Sequence, residues 1–121
     1  MSGRTRSILE HMLDDVRDVL EFTAQAGNFE TFSANPLYRK GIVMSVINIG
    51  ELSKRLPDEF KSAHGEIPWR QIAGMRDIAA HGYHSMDDDI IWDVATNSIP
   101  ELLRFLVGRL GGAEAEDGEV L

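Results

Sequence analysis

Apolar residues recur at helical spacing along most of the chain. The first such segment covers residues 6–25, and its apolar positions are Ile8, Leu9, Met12, Leu13, Val16, Val19 and Leu20. This spacing places them on one face of an amphipathic helix, with charged residues on the opposite face. Gly27 and Asn28 follow directly and are typical of a helix end. The pattern therefore predicts a first helix over residues 6–25.

A second helix is predicted to begin at Asn35 and Pro36, because asparagine caps helix amino termini and proline suits the first helical position. The stretch 42–49 is rich in β-branched residues and would also suit a buried strand. The apolar pattern nevertheless continues until Pro57, and this length favours a helix.

Two glycines interrupt this second helix, Gly41 and Gly50. Each costs roughly 1 kcal/mol relative to alanine in a helix interior. They either mark the close approach of another backbone or are simply tolerated, and the sequence leaves both interpretations open.

The remaining pattern predicts one short helical turn at residues 58–64, a helix that begins near Trp69 and ends near Gly82, and a last helix over residues 87–110. Ser85 and Asp88 resemble a capping box at the start of that last helix. We expect a kink at Pro100 and a helix end at Gly111 and Gly112.

No segment alternates strictly between apolar and polar residues, and no internal repeat is visible. The predicted fold is all-α: an up-and-down bundle of about four main helices plus a short helix. Residues 1–111 form a single domain in this interpretation, and residues 112–121 form an acidic, disordered tail.

Length and composition agree with one globular domain, since the chain has 121 residues, 43% hydrophobic and 26% charged. Cysteine is absent, which excludes disulfides and thiolate metal sites. No apolar run is long enough for a secretion signal or a membrane span, so we expect a cytoplasmic protein without a membrane partner.

The formal net charge of −8 argues against a broad electrostatic grip on nucleic acid. Half of this charge comes from the last ten residues, which carry Glu114, Glu116, Asp117 and Glu119 and no basic residue. The net charge of the rest of the chain is therefore only half as large, and it is compatible with a local basic cleft on the surface.

Candidate chemistry concentrates at the end of the helix that follows Trp69, where Arg70, Arg76, Asp77, His81, Tyr83 and His84 occur within 15 residues. Arg76 offers a permanently charged fork that matches a phosphate. His81 can take or give a proton near neutral pH. Together they are the parts needed to cleave a phosphodiester without a metal ion.

Their spacing does not bring them together on an ideal helix, because five residues turn through about 140°. Arginine's reach, loss of helical geometry at Gly82 or a second copy of the segment across a two-fold axis would each provide convergence. The structural alternative is an arginine paired with Asp77 or Asp87 and a histidine that completes a helix carboxyl end.

The segment from Arg76 to Tyr83, RDIAAHGY, resembles the Arg-x4-His-x-Tyr signature of the HepT-like toxins in the HEPN superfamily. The flanks are similar too, and the resemblance extends over residues 8–110. The flanking matches are Ile49-Gly50-Glu51, Ile67-Pro68-Trp69, Ile72-Ala73-Gly74-Met75, Trp92 and Ile99-Pro100-Glu101-Leu102.

The resemblance implies a HEPN-like helical homodimer that acts as a metal-independent endoribonuclease in a type VII-like toxin–antitoxin pair. By the same resemblance, His81 is the acid and base, Arg76 binds the phosphate and the transition state, and Asp77 occupies the motif's polar position. The substrate would be RNA, such as tRNA or mRNA. No cofactor and no metal ion are implied.

Tyr83 matches the tyrosine that, in the HepT-like proteins, accepts AMP from a partner nucleotidyltransferase antitoxin of the MntA type. Adenylylation there would add bulk and negative charge over the cleft and repel an RNA phosphate. The alternative for Tyr83 is a half-buried ring with its hydroxyl group at the rim.

Glu51, Arg70 and His84 are further candidates for lining the cleft. Glu51 equally suits a pair with Lys54 or Arg55 on its own helix. A zinc site at the histidines is not favoured, because the chain has neither a cysteine nor an HExxH helix. Trp69 and Trp92 are more typical of a core or a dimer interface than of base stacking.

A second function remains open on the same fold. The chain would then be a non-catalytic dimeric HEPN-fold binding module that docks a nucleotidyltransferase or binds a nucleotide without cutting RNA. The acidic net charge keeps this alternative in place.

Overall fold

A computed structural model describes residues 1–82 and 86–120, with only the backbone for Ile78, His81 and 112–120. All regular structure in this part of the chain is helical, which confirms the predicted all-α class. The helices are α1 (Gly3–Ala26), α2 (Phe29–Ala34), α3 (Pro36–Lys54), α4 (Asp58–Ala63), α5 (Trp69–Gly82), α6 (Asp88–Asp93) and α7 (Ile99–Val120), with a π-helical segment Val94–Ser98 between the last two.

The ends of α1 follow from residues beside them. The hydroxyl of Ser2 accepts a hydrogen bond from the backbone N–H of Thr5, so it caps the amino terminus. Gly27 ends the helix with a positive φ of 80°, a conformation that favours glycine. Asn28 then caps a six-residue helix, α2, which the sequence pattern did not predict.

The predicted start of α3 is confirmed. The side chain of Asn35 accepts a hydrogen bond from the N–H of Leu37, and Pro36 is the first helical residue. The β-branched stretch 42–49 is helical throughout, so length was the better guide than β propensity.

The core lies between the four longer helices. Helix α1 packs against both α3 and α7, and α5 packs on α3. The largest fully buried apolar side chains are Phe32, Leu9, Met12, Leu13, Ile42, Ile49, Leu106 and Leu110. Both tryptophans contact core rings: Trp69 lies 5.7 Å from Phe105 and Trp92 lies 5.0 Å from Phe32, measured between ring centroids.

The chain after α5 differs from the single kinked helix expected over residues 87–110. It forms α6, a π-helical segment and α7, and Pro100 is the second residue of α7. Proline lacks an N–H, and the wider π turn before it accommodates the interrupted hydrogen-bond pattern.

Asp87 is the N-cap of α6, because its carboxylate accepts a hydrogen bond from the backbone N–H of Asp89. Ser85, which the sequence suggested for a capping box with Asp88, lies outside the described residues.

Helix α7 also continues past Gly111 and Gly112, where the sequence pattern predicted its end. Glycine is only about 1 kcal/mol worse than alanine inside a helix and does not by itself stop one. The division into a domain of residues 1–111 and an acidic tail stays a prediction.

Among the described residues, no helix combines the length and the apolar character that a membrane span requires.

Candidate active site

Arg76 occupies an interior position on α5. It lies four residues after Ile72 and three before Ala79, and both of these side chains are buried against the rest of the bundle. A spacing of three and four places all three residues on one face of the helix. The Arg76 side chain is accordingly only 28% exposed, although arginine is mostly found at the surface.

Gly50 on α3 makes room for this arginine. A Cβ atom at Gly50 would overlap the Cβ atom of Arg76 and would lie 3.0 Å from the backbone oxygen of Ile72. The close approach that the sequence left open is therefore present here, against both a side-chain stem and a backbone. At Gly41 the neighbour is instead the ring of Phe22, 2.6 Å from where a Cβ would lie.

Glu51, the next residue on α3, binds the inner edge of the guanidinium. Its Oε2 atom lies 2.6 Å from Nε of Arg76. Both atoms are shielded from solvent, and neither has a well-directed hydrogen bond in the described part of the chain, not even to the other. The ion pair is therefore the interaction that compensates both buried charges. The sequence left open whether Glu51 lies beside the motif or pairs with Lys54 or Arg55, and in the structure it pairs with Arg76 of the motif.

Asp77 joins the arginine to a second cation. Its Oδ1 atom accepts from Nζ of Lys54 at 2.8 Å and from Nη1 of Arg76 at 3.2 Å. The hydrogen bond from Lys54 is the main reason that the pKa of Asp77 lies below its ordinary value, with a smaller contribution from Arg76. Sequence reasoning missed Lys54, because 23 residues separate it from Asp77 and no local signal connects them.

His81 lies on the same helix as Arg76, five residues further on, and α5 remains helical through Gly82. The loss of helical geometry at Gly82 that the sequence left open is therefore not present, and the backbone positions of the two residues stay about 140° apart around the axis. The His81 side chain, Tyr83 and His84 lie outside the described residues. Arg70, the remaining candidate on α5, is exposed near the start of that helix.

A recess of about 320 Å³ lies between α1 and α3 on the other side of Glu51. Its lining residues are His11, Asp14, Asp15, Asn48, Glu51, Leu52 and Arg55. Burial raises the pKa of Asp15, and a hydrogen bond from Asn48 only partly offsets this effect. In the part of the chain with described side chains, no three histidine or carboxylate groups are arranged to hold a metal ion.

Comparison with known proteins gives one consistent result. The family model described as "Ribonuclease HepT-like" matches residues 12–107. "Putative RNase TTE0752" from Caldanaerobacter subterraneus subsp. tengcongensis is 39% identical over 97 residues, which are 80% of this chain and 86% of that protein.

Two further proteins are also similar. "Probable ribonuclease HepT" from Thermococcus cleftensis is 34% identical over 102 residues, 84% of this chain and 92% of that protein. "Putative RNase MJ0127" from Methanocaldococcus jannaschii is 30% identical over 112 residues, 93% of this chain and 92% of that protein. No solved structure matches the chain with significance.

Proposed function

Because the chain belongs to the HepT-like ribonuclease family, we propose that it is an endoribonuclease that cleaves RNA with Arg76 and His81 and needs no metal ion. The observation that carries this proposal is the placement of Arg76. A guanidinium fixed at Nε by Glu51 is oriented before a substrate arrives, and such preorganisation is what stabilises developing charge most effectively.

The reaction would be an internal transfer. A His81 imidazole takes the proton of a ribose 2′-hydroxyl, and the 2′-oxygen attacks the adjacent phosphorus. The bond to the 5′-oxygen of the next nucleotide breaks, and that oxygen receives a proton from an imidazolium. Arg76 stabilises the negative charge on the phosphorus oxygens in between. The products carry a 2′,3′-cyclic phosphate and a 5′-hydroxyl group.

The protein would act as a homodimer. The backbone positions of Arg76 and His81 lie about 140° apart around an intact helix, and a second chain across a two-fold axis would bring the two residues together. Two large apolar side chains on α3, Leu37 at 71% and Met44 at 58%, are exposed. Met44 also lines an apolar groove between α3 and α5 together with Ile47 and Ala80, and such a surface suits a protein interface.

We further propose that the chain is the toxin of a type VII-like toxin–antitoxin pair. A MntA-like nucleotidyltransferase would transfer AMP to the hydroxyl of Tyr83, two residues after His81. The added phosphate and nucleotide would repel and obstruct the RNA. This step and the RNA class rest on the sequence resemblance, and a cytoplasmic location rests on the expectation that no secretion signal or membrane span is present.

The second candidate function, a non-catalytic dimeric binding module, is favoured by one observation. Both carboxylates that contact Arg76 already compensate its charge, so an RNA phosphate must compete with Asp77 for Nη1. A scaffold that only docks a nucleotidyltransferase would not need this arginine to be available.

Cleavage of a tRNA pool by purified, chelator-treated protein distinguishes the two functions. Fragments with 2′,3′-cyclic phosphate ends are expected from the wild type and from His11→Ala, which removes an exposed histidine of α1. Arg76→Ala and His81→Ala should produce none. A wild-type protein that is dimeric and unmodified at Tyr83 but leaves tRNA and mRNA intact would contradict the ribonuclease proposal.

A further inference from the structure

The Glu51–Arg76 ion pair has a shorter contact and less solvent access at its contacting atoms than an ordinary surface ion pair. The contact distance is 2.6 Å, and both contacting atoms are shielded from water even though the two side chains are partly exposed. Gly50, the neighbour of Glu51, is the residue that lets the stem of Arg76 come this close to α3. The same turn of α3 thus supplies both the space for the arginine and its counter-charge.

The contacts divide the guanidinium into an inner and an outer part. Glu51 contacts the Nε atom of Arg76, and Asp77 contacts its Nη1 atom. Neither contact uses Nη2. The Asp77 oxygen that contacts Nη1 lies 3.2 Å from that nitrogen and only 2.8 Å from Nζ of Lys54. Asp77 can therefore lose its contact with Arg76 and still be paired with a cation. Glu51 has no such alternative among its contacts.

We propose that Glu51 is a positioning residue: it holds Arg76 by Nε so that the outer Nη1–Nη2 edge faces the RNA phosphate, while Asp77 yields Nη1 and remains bonded to Lys54. This inference rests on the proposed ribonuclease function. The arginine fork binds a phosphate through two parallel N–H donors, and this geometry demands a fixed guanidinium plane.

The charges of the cluster support a division of roles. Arg76 and Lys54 contribute two positive charges, and Glu51 and Asp77 contribute two negative charges, so the four groups together are neutral. Release of Nη1 by Asp77 exposes a cationic edge without disturbing the Nε contact. Glu51 therefore affects how the arginine is aimed more than how strongly the cluster attracts RNA.

Two substitutions separate orientation from charge. Glu51→Ala removes both the acceptor and its charge, whereas Glu51→Gln keeps an acceptor oxygen and removes the charge. Asp15→Asn is the matched control, because it removes one carboxylate from the same recess without contact to Arg76. We expect kcat for RNA cleavage to fall about 10- to 100-fold in Glu51→Ala with KM changed less than about threefold, since misaimed catalytic groups cost this much.

Glu51→Gln should lose less kcat than Glu51→Ala, and its KM should fall, because a negative charge near the phosphate is gone. Asp15→Asn should keep kcat within about twofold of the wild type. A rise in KM at unchanged kcat in either Glu51 variant would overturn the positioning role, and so would wild-type kinetics in both.

A second measurement does not depend on cleavage. The Nε–H proton of Arg76 should exchange slowly with solvent in a ¹H–¹⁵N spectrum of the wild type, because Nε is shielded from water and paired with the Glu51 carboxylate. Exchange should be faster in Glu51→Gln, where the acceptor is neutral, and unchanged in Asp15→Asn. Fast exchange in the wild type would refute the positioning role, whereas slow exchange without RNA cleavage would refute the ribonuclease function and leave the geometry intact.

Discussion

Gly50 of α3 lies directly against the Cβ atom of Arg76 in α5. Because glycine has no side chain, the two helices approach closely here, and Glu51 comes within 2.6 Å of the guanidinium. The packing of α3 against α5 at Gly50 therefore determines where the candidate catalytic residue Arg76 lies. A change in the packing should alter the position of the arginine.

Gly50→Ala should lower the free energy of unfolding by about 1–3 kcal/mol, because its methyl group overlaps the Arg76 stem and must push α5 away. Urea unfolding measures this change, and RNA cleavage should fall with it. Gly108→Ala is the control, since no atom other than the neighbouring backbone of its own helix lies within 4 Å of a Cβ at that position. It should be neutral or stabilise by up to about 1 kcal/mol; equal effects of both substitutions would contradict the packing argument.

Asp88 ties α2 and α3 to the start of α6. It accepts a hydrogen bond from the Ser33 hydroxyl at 2.9 Å and from Nε of Arg39 at 2.8 Å. Asp88→Ala should therefore cost about 1–3 kcal/mol of unfolding free energy, a common range for the loss of charge-assisted hydrogen bonds. Asp89→Ala removes an exposed carboxylate from the same helical turn and should cost less than about 0.5 kcal/mol by thermal unfolding.

Asp15 should make stability depend on pH. Burial raises its pKa above the ordinary 3.8 in the folded chain, so its ionisation opposes folding. The wild type then loses stability as the pH rises from about 3.8 through the higher folded pKa. Asp15→Asn lacks this loss and should be slightly more stable at pH 7, by about 0.5 kcal/mol or less because the group is only partly buried and solvent screens its charge. The two proteins should unfold alike below about pH 3; a constant difference across the range would exclude this cause.

Lys54→Met should raise the pKa of Asp77 toward its ordinary value of 3.8, because the hydrogen bond from Lys54 is the largest cause of its depression. A carboxyl ¹³C titration measures the change. The depressed pKa means that the contribution of Asp77 to stability is present above its unfolded pKa and is lost as pH falls through the folded pKa. Lys61→Met, on α4, is the control and should leave the Asp77 titration unchanged.

Much of the fold could be predicted from the sequence because helix ends depend on nearby residues. Gly27 ends α1 through its own backbone conformation, and Asn35 with Pro36 starts α3 through contacts within two positions. The short helix α2 was missed, since six residues carry too little periodicity to be recognised. The sequence predicted a kink at Pro100 and not the π-helical segment before it, because the pattern of apolar residues does not distinguish a kinked α-helix from a π-helical turn.

The sequence by itself determined the helical class, the family resemblance that the comparisons confirm, and Arg76 and His81 as the residues to examine. Only the tertiary structure decided what holds Arg76. Its contact with Glu51 and the Asp77–Lys54 bond each join α5 to α3 across 23 to 25 residues. Such contacts depend on where two helices cross and in which register, and this is set by the whole core and by the missing side chain of Gly50.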